Sequence, residues 1–265
     1  MISRVIPIVV LLTGLAACGG SSDGSSVNPV QPPALPNAEV LNTFENGSGV
    51  IRSTLTVDGQ EQIANAIVSN AKGFVDEINK NGLKIDTVSF ESVGSDGYGT
   101  FYTGTSTING EQVTVFEVSN KRGPSWIILA GSDATRSVIA GGAKVSNIPI
   151  GSYVYQGTNV VTRSGVEPET GTFRMGVNFT TGTADIDGST TGTTGTTIIG
   201  DMTVNNKAGT FAGDNLLLMD GLDSTSATIQ GNFHGNGATA VSGVYHDNSP
   251  EPVIAGAIAG SRSVP

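Results

Sequence analysis

Cysteine is all but missing from this chain: its 265 residues include one, Cys18. No intramolecular disulfide can form, so the fold stands on its core alone even in an oxidising compartment. Basic residues are scarce, with 13 Lys and Arg against 23 Asp and Glu and a formal charge of −10. Holding phosphates takes clustered Lys and Arg, so nucleic acid is excluded as a partner and anionic headgroups are poor ones. Aromatic residues make up 6% and charged residues 14%. The chain has two histidines, His234 and His246. No nucleophile elbow stands between a strand and a helix, and no H-E-x-x-H pair, P-loop or dinucleotide fingerprint follows a strand. Neither an enzyme nor a cofactor is expected.

The N-terminal segment is informative. Arg4 precedes an apolar stretch from Val5 to Leu12, and Leu15-Ala16-Ala17-Cys18 closes the run. The stretch is too short to span a bilayer, and Pro7 interrupts it. A positive n-region, an apolar h-region and small residues before a cut site make a secretory signal. The cysteine just after the small residues resembles the lipobox of bacterial lipoproteins. That resemblance implies cleavage before Cys18, acylation of its thiol (palmitate-type chains) and anchoring in the outer membrane, since Gly19 rather than aspartate follows. Several acyl chains anchor durably where one would not, each buried methylene contributing roughly 0.8 kcal/mol. Residues 1–17 are expected to be the signal peptide and 18–37 a flexible tether of Gly, Ser, Pro and Asn, stiffened by Pro29, Pro32, Pro33 and Pro36.

The body is rich in threonine and holds most of the 37 glycines. That composition favours short strands and tight turns over helices. Residues 38–147 are expected to form a mixed subdomain, a small antiparallel sheet with one helix. Strands are expected at 51–57, 85–90, 99–107, 112–119 and 126–130. Ile63, Ala66, Ile67, Phe74 and Ile78 fall near helical spacing, which predicts a helix over 60–80 with Gly82 as its stop. Asn109-Gly110 has the chemistry of a two-residue hairpin turn, and Lys121-Arg122-Gly123-Pro124 reads as a turn. Residues 148–265 alternate with strand period throughout. Eight runs, at 152–161, 172–180, 183–187, 196–204, 209–219, 227–234, 238–246 and 253–261, predict an eight-stranded antiparallel barrel or a sandwich. In a barrel the last strand would pair with the first and remove both edges. The faces carry no consistent apolar band or aromatic girdle, which argues against a barrel that spans the membrane. The fold class expected is mainly β.

The C-terminal runs carry a resemblance. Ile229-Gln230-Gly231-Asn232-Phe233-His234-Gly235, then Val241-Ser242-Gly243-Val244-Tyr245, then Ala255-Gly256-Ala257-Ile258-Ala259-Gly260-Ser261-Arg262 resemble the closing barrel strands of the transferrin-binding protein B family. Val177-Asn178-Phe179-Thr180-Thr181-Gly182 is similar to an earlier strand of that family. Tyr245 and Ile258 stand where phenylalanine is usual. The resemblance covers about 150–262 and implies a lipoprotein with a soluble barrel and a handle-like sheet that binds a protein or a ligand. Transferrin binding is not carried over, because the residues that capture the iron carrier have no match here.

Several residues are candidate sites. Gly231, Gly243, Gly256 and Gly260 lie inside strand runs, where glycine marks a sharp bend or a close backbone approach. His234 and His246 with Asp247 could hold a metal only if all three converged, and the expected reading is two exposed or turn-side histidines with no metal. Asp185-Ile186-Asp187-Gly188 lacks the further ligands of a calcium loop and reads as a hairpin turn. Trp126 is expected in the core, while Phe101, Tyr102, Tyr153 and Tyr155 are candidate aromatic anchors. Apart from lipid attachment at Cys18, the ligand-binding residues are unassigned. Two functions follow: a non-catalytic outer-membrane lipoprotein that engages an unknown protein or small ligand through barrel loops, or a structural envelope lipoprotein without a ligand.

Overall fold

The computed structural model describes residues 49–57, 60–68, 90–108, 111–131, 136–163, 166–192, 194–249 and 253–263. Cys18, the signal segment and the tether lie outside them. Among the described residues there are strands, turns and no helix. Strands β1 (Gly49–Val57), β2 (Gln60–Val68), β3 (Glu91–Ser95), β4 (Gly99–Ile108), β5 (Glu111–Asn120), β6 (Ser125–Gly131) and β7 (Arg136–Ala143) form one antiparallel sheet in the order β2-β1-β7-β6-β5-β4-β3. Strands β8 (Ser152–Arg163), β9 (Val166–Asn178), β10 (Thr183–Thr191), β11 (Thr196–Asn205), β12 (Thr210–Asp220), β13 (Asp223–His234), β14 (Ala240–Asp247) and β15 (Ile254–Arg262) form a closed barrel. Closure runs along the whole of β15, from Ile254↔Arg163 to Arg262↔Tyr155.

The helix expected over 60–80 is corrected at its start. Gln60–Val68 is strand β2, paired antiparallel to β1 from Val57↔Gln60 to Gly49↔Val68. Ile63, Ala66 and Ile67 fit a helical stripe, but β-branched residues favour strands, and backbone pairing with β1 decides between the two. Residues 69–80 lie outside the described residues, as do 85–89 and Asn109-Gly110. Strands β4 and β5 pair up to Ile108↔Glu111, and Lys121 to Pro124 form the turn into β6. Asp185-Ile186-Asp187-Gly188 is not a turn; it lies within β10, whose residues alternate exposed and buried along their length.

The barrel interior is apolar and full. Phe173, Met175, Val177, Ile186, Ile198, Phe211, Leu216, Leu218, Ile229, Phe233, Tyr245 and Ile258 are all buried in one cluster. Phe233 is its hub, with the rings of Phe179, Phe211 and Tyr155 at 4.9, 5.5 and 5.6 Å. The outward residues of β10 are Thr183, Asp185, Asp187, Ser189 and Thr191, all exposed. An apolar inside with a polar outward face, as on β10, is the reverse of the pattern of a membrane-spanning barrel.

The in-strand glycines make room for the rings. A Cβ on Gly260 would stand 2.6 Å from Phe173 Cζ, and one on Gly243 would stand 2.9 Å from Phe211 Cζ. The Phe211 ring also lies over Gly231, and the Tyr245 ring over Gly256. An eight-stranded barrel has space for side chains and little more, so each large ring needs a strand position without a side chain opposite it.

The sheet packs on the outside of the barrel. Val118, Ile127, Leu129, Val138 and Ala140 meet Val160, Val244, Ala255, Ala257 and Ala259 in a second apolar cluster. Every residue of β15 from Ile254 to Ser261 is therefore buried. Its outward positions Ala255, Ala257 and Ala259 are small enough for the two sheets to approach. Trp126 is 1% exposed and belongs to the core, as expected.

Gly231→Ala should destabilise the chain by about 1–3 kcal/mol through overpacking against the Phe211 ring and the Ser242 carbonyl. Adding Phe211→Leu should recover the part of that loss that comes from the ring and leave the part that comes from the Ser242 carbonyl. A denaturant-melt double-mutant cycle checks this; additive losses would show that the ring and the glycine are not coupled.

Candidate functional site

Among the described residues buried side chains fill the barrel interior, so the candidate functional surfaces are the two rims and the outer face. One rim is closed by a buried ionic cluster. Arg163 ends β8, and its Nε donates to both oxygens of Asp220 at the end of β12, at 3.1 and 3.0 Å. Its Nη2 donates to Glu169 Oε2 on β9 at 3.3 Å and also to Thr196 Oγ1. Its Nη1 stands 3.3 Å from Glu169 Oε1. The arginine side chain is 10% exposed, and that of Glu169 is 6% exposed.

Threonines complete the shell. Thr190 Oγ1 donates to Glu169 Oε2 at 3.0 Å, while the Thr194 amide and hydroxyl donate to Oε1 at 3.3 and 3.1 Å. Thr196 Oγ1 donates to Asp220 Oδ1 at 3.2 Å. Burial pushes the Glu169 carboxyl up, but the hydrogen bonds from Thr190, Thr194 and Arg163 outweigh it and hold its pKa below the usual value. Burial likewise works against the Arg163 charge, and Asp220 and Glu169 more than restore it. Deeper in the barrel, burial raises the Tyr245 hydroxyl pKa, although that hydroxyl donates to Asn159 Oδ1 at 2.8 Å. None of this cluster was singled out from the sequence. The available signal was Arg163 itself, one of few cations, placed at the end of an otherwise uncharged strand.

The histidine and aspartate candidates do not converge. His234 is corrected from an exposed or turn-side position to a fully buried one. It faces outward from β13 into the seam with the sheet. Its Nδ1 lies 3.0 Å from the Ala143 carbonyl, so it donates there, and its Nε2 accepts from Ser242 Oγ at 2.8 Å. A Cβ on Gly142 would stand 2.7 Å from the His234 ring. The sequence places His234 just before a glycine turn; only the sheet laid over that turn buries it. His246 is half-buried near the other end of the β13–β14 ladder, opposite Thr228, roughly 20 Å away at the rise of a strand. The Asp247 carboxylate is occupied: it accepts from the amides of Ser249, Val253 and Ile254 at 3.0, 2.8 and 2.7 Å, and from the Ser249 hydroxyl. It staples the connection between β14 and β15.

The candidate aromatic anchors divide. Tyr155 is fully buried and donates to the Ala238 carbonyl at 2.6 Å. Burial raises its pKa against the opposing charge of Arg262. Phe101 and Phe116 stack at 6.0 Å between centroids and pack against the seam. Tyr153 is half-buried at the second rim, beneath the Arg262 guanidinium at 4.7 Å. Tyr153 and Arg262 border an outer groove of about 780 Å³, which Val154, Gly176, Asp185 and Asp201 also line.

Arg163→Met should leave Glu169 and Asp220 together with no counter-charge and cost on the order of 3 kcal/mol, a fall in Tm of roughly 6–12 °C for a body of this size. Because the Glu169 pKa is lowered in the folded state, its contribution is fully present above the ordinary carboxylate value of about 4.3. It is lost as pH falls through the lowered folded value. Glu169→Gln should therefore flatten the acid limb of a Tm-against-pH profile below about pH 4.3 and lower Tm at pH 7. An acid limb identical to that of the unsubstituted chain would rule this out.

No family model matches the chain, and no curated protein does. Solved structures do. A double mutant of transferrin-binding protein B from Haemophilus parasuis superposes with a TM-score of 0.51 at 14% identity, over 82% of this chain and 45% of that one. Isotype 1 transferrin-binding protein B from Neisseria meningitidis gives 0.49 at 14% identity, over 81% and 44%. The N-lobe of lactoferrin-binding protein B from Moraxella bovis gives 0.41 at 14% identity, over 82% and 99%. The chain spans under half the length of the first of these. The closed barrel with a sheet laid on its outer wall is thus the fold of a transferrin-binding protein B-like barrel domain.

Proposed function

We propose that this chain is an outer-membrane lipoprotein, anchored through lipid on Cys18, that serves as a non-catalytic binding module engaging a protein partner through the barrel loops and the adjoining outer face. The observation that carries the reading is the filled barrel interior, with Phe211, Phe233 and Tyr245 each about 1% exposed or less. A barrel packed to its axis binds with its outside, which suits a protein partner better than an enclosed small ligand. The solved neighbours named for binding transferrin or lactoferrin point the same way. The rigid rim built by Arg163, Glu169 and Asp220 would hold the loops of one end in place, so little ordering cost falls on association.

The anchor and the binding role are tested separately. Cys18→Ser should abolish incorporation of a radiolabelled palmitate analogue and release the chain from the membrane fraction; retained label would exclude lipidation at Cys18. Protease treatment of intact cells should degrade the body if it faces outward. Immobilised body from Ala38 onward should retain a saturable partner from growth medium or host fluid. Full protection from protease together with no retained partner would favour the structural envelope reading instead.

A further inference from the structure

We propose that the β11–β12–β13 end of the barrel is the docking patch for a protein partner that presents an apolar surface ringed by lysine or arginine side chains. This rests on the binding-module reading and specifies the contact surface and the chemistry of the partner. Ile199 on β11 lies directly opposite Leu217 on β12, and the two are 40% and 44% exposed. Met219, half-buried, follows Leu217 on the same outward face and leads to the hairpin tip. Asp220 pairs with Asp223 across that tip, leaving Gly221 and Leu222 as the two-residue turn. Gly221 has a φ of +61°, which such a turn requires at its first position. Turn chemistry asks for a small or polar residue beside it, yet Leu222 stands there fully exposed at 105%. A single exposed leucine is ordinary. A cross-strand apolar pair continuous with an apolar hairpin tip is a patch, on a barrel whose neighbouring outward strand is threonine, serine and aspartate.

Charge selects the occupant. Asp187 lies opposite Ile199, and Asp185 lies opposite Asp201 two positions further along. Like charges directly opposite one another on adjacent strands repel. Among the described residues the ion pairs are those of Arg163, and they involve none of Asp185, Asp187, Asp201 and Asp223. Asp187 faces Arg174 on β9 and Arg262 lines the same groove as Asp185 and Asp201, so the apolar patch is bordered by a net excess of negative charge, with Asp185 set against Asp201. A partner with cations around an apolar contact relieves that repulsion and is steered on by it. A second copy would set aspartate against aspartate, and an anionic lipid surface would be repelled.

The minimal probes are octyltrimethylammonium and octyl sulfate, which share one apolar tail and differ in head-group charge, both used below micelle formation. Titrated into the intact ¹⁵N-labelled chain, the cationic probe should shift the amides of Ile199, Leu217 and Leu222 saturably, at about ten-fold lower concentration than octyl sulfate. Asp201→Asn should narrow that difference, and L217N/L222N should abolish the shifts with Tm unchanged. Equal responses to the two probes, shifts centred elsewhere, or self-association lost in L217N/L222N would each overturn the proposal. If the immobilised body and its L217N/L222N variant retain the same partner equally, the patch falls and the binding module stands. If the unsubstituted body retains nothing, the binding-module reading itself falls.

Discussion

The rest of this structure depends on one packing constraint: large rings fill the barrel only because the strands opposite them lack side chains. Phe211 lies over Gly231 and Gly243, Tyr245 over Gly256, and Phe173 over Gly260. Glycine inside a strand is otherwise a liability, weakening the ladder by entropy and leaving nothing to pack. Here the ring covers the bare backbone and the bare backbone admits the ring. The chain has 9 Phe, 5 Tyr and 1 Trp and no disulfide to supplement its core. It therefore concentrates its aromatic volume where a closed sheet can surround it.

Closure has a second consequence on the outside. Strands β13 to β15 and β8 must satisfy the barrel with one face and the seven-stranded sheet with the other. Alanine at 255, 257 and 259 lets the second sheet approach, and His234 bridges the two bodies through Ala143 and Ser242. The covered wall is thereby removed from contact with a partner. The uncovered wall, β9 to β12, carries aspartates beside the exposed Ile199 and Leu217, and the ionic cluster at Arg163 ties β8, β9, β11 and β12 together at one rim. Rigidity and exposure coincide there, a combination that suits surface recognition.

Secondary structure is legible in this sequence where a side-chain period has one interpretation. The eight barrel strands are legible from alternation, while their spacing fits a barrel or a sandwich alike; the pairing of β15 with β8 decides for closure. Reading failed where two periods fitted the same residues: Ile63, Ala66 and Ile67 satisfy a helix, and pairing to β1 made the first part of that segment a strand. Strand β7 was missed because its Ser-Val-Ile-Ala-Gly-Gly run, buried on both faces from Ser137 to Gly142, shows no alternation. Asp185-Ile186-Asp187-Gly188 was read as a turn from its composition, although Gly188 occupies an inward position that Phe173 and Ile198 crowd. His234 looked exposed because nothing local says that a sheet covers it.

Local chemistry thus determined the secondary structure of the barrel, the lack of disulfide and of phosphate-binding charge, and the positions where glycine was needed, since these depend on residues a few places apart. The tertiary structure alone decided what lies together. Arg163, Glu169, Thr196 and Asp220 meet across 57 residues of sequence, and Ile199, Leu217 and Leu222 form one surface only because β11 and β12 pair in that register. Burial and electrostatics act through space, and in a closed barrel the register of strand pairing sets which distant residues share a rim.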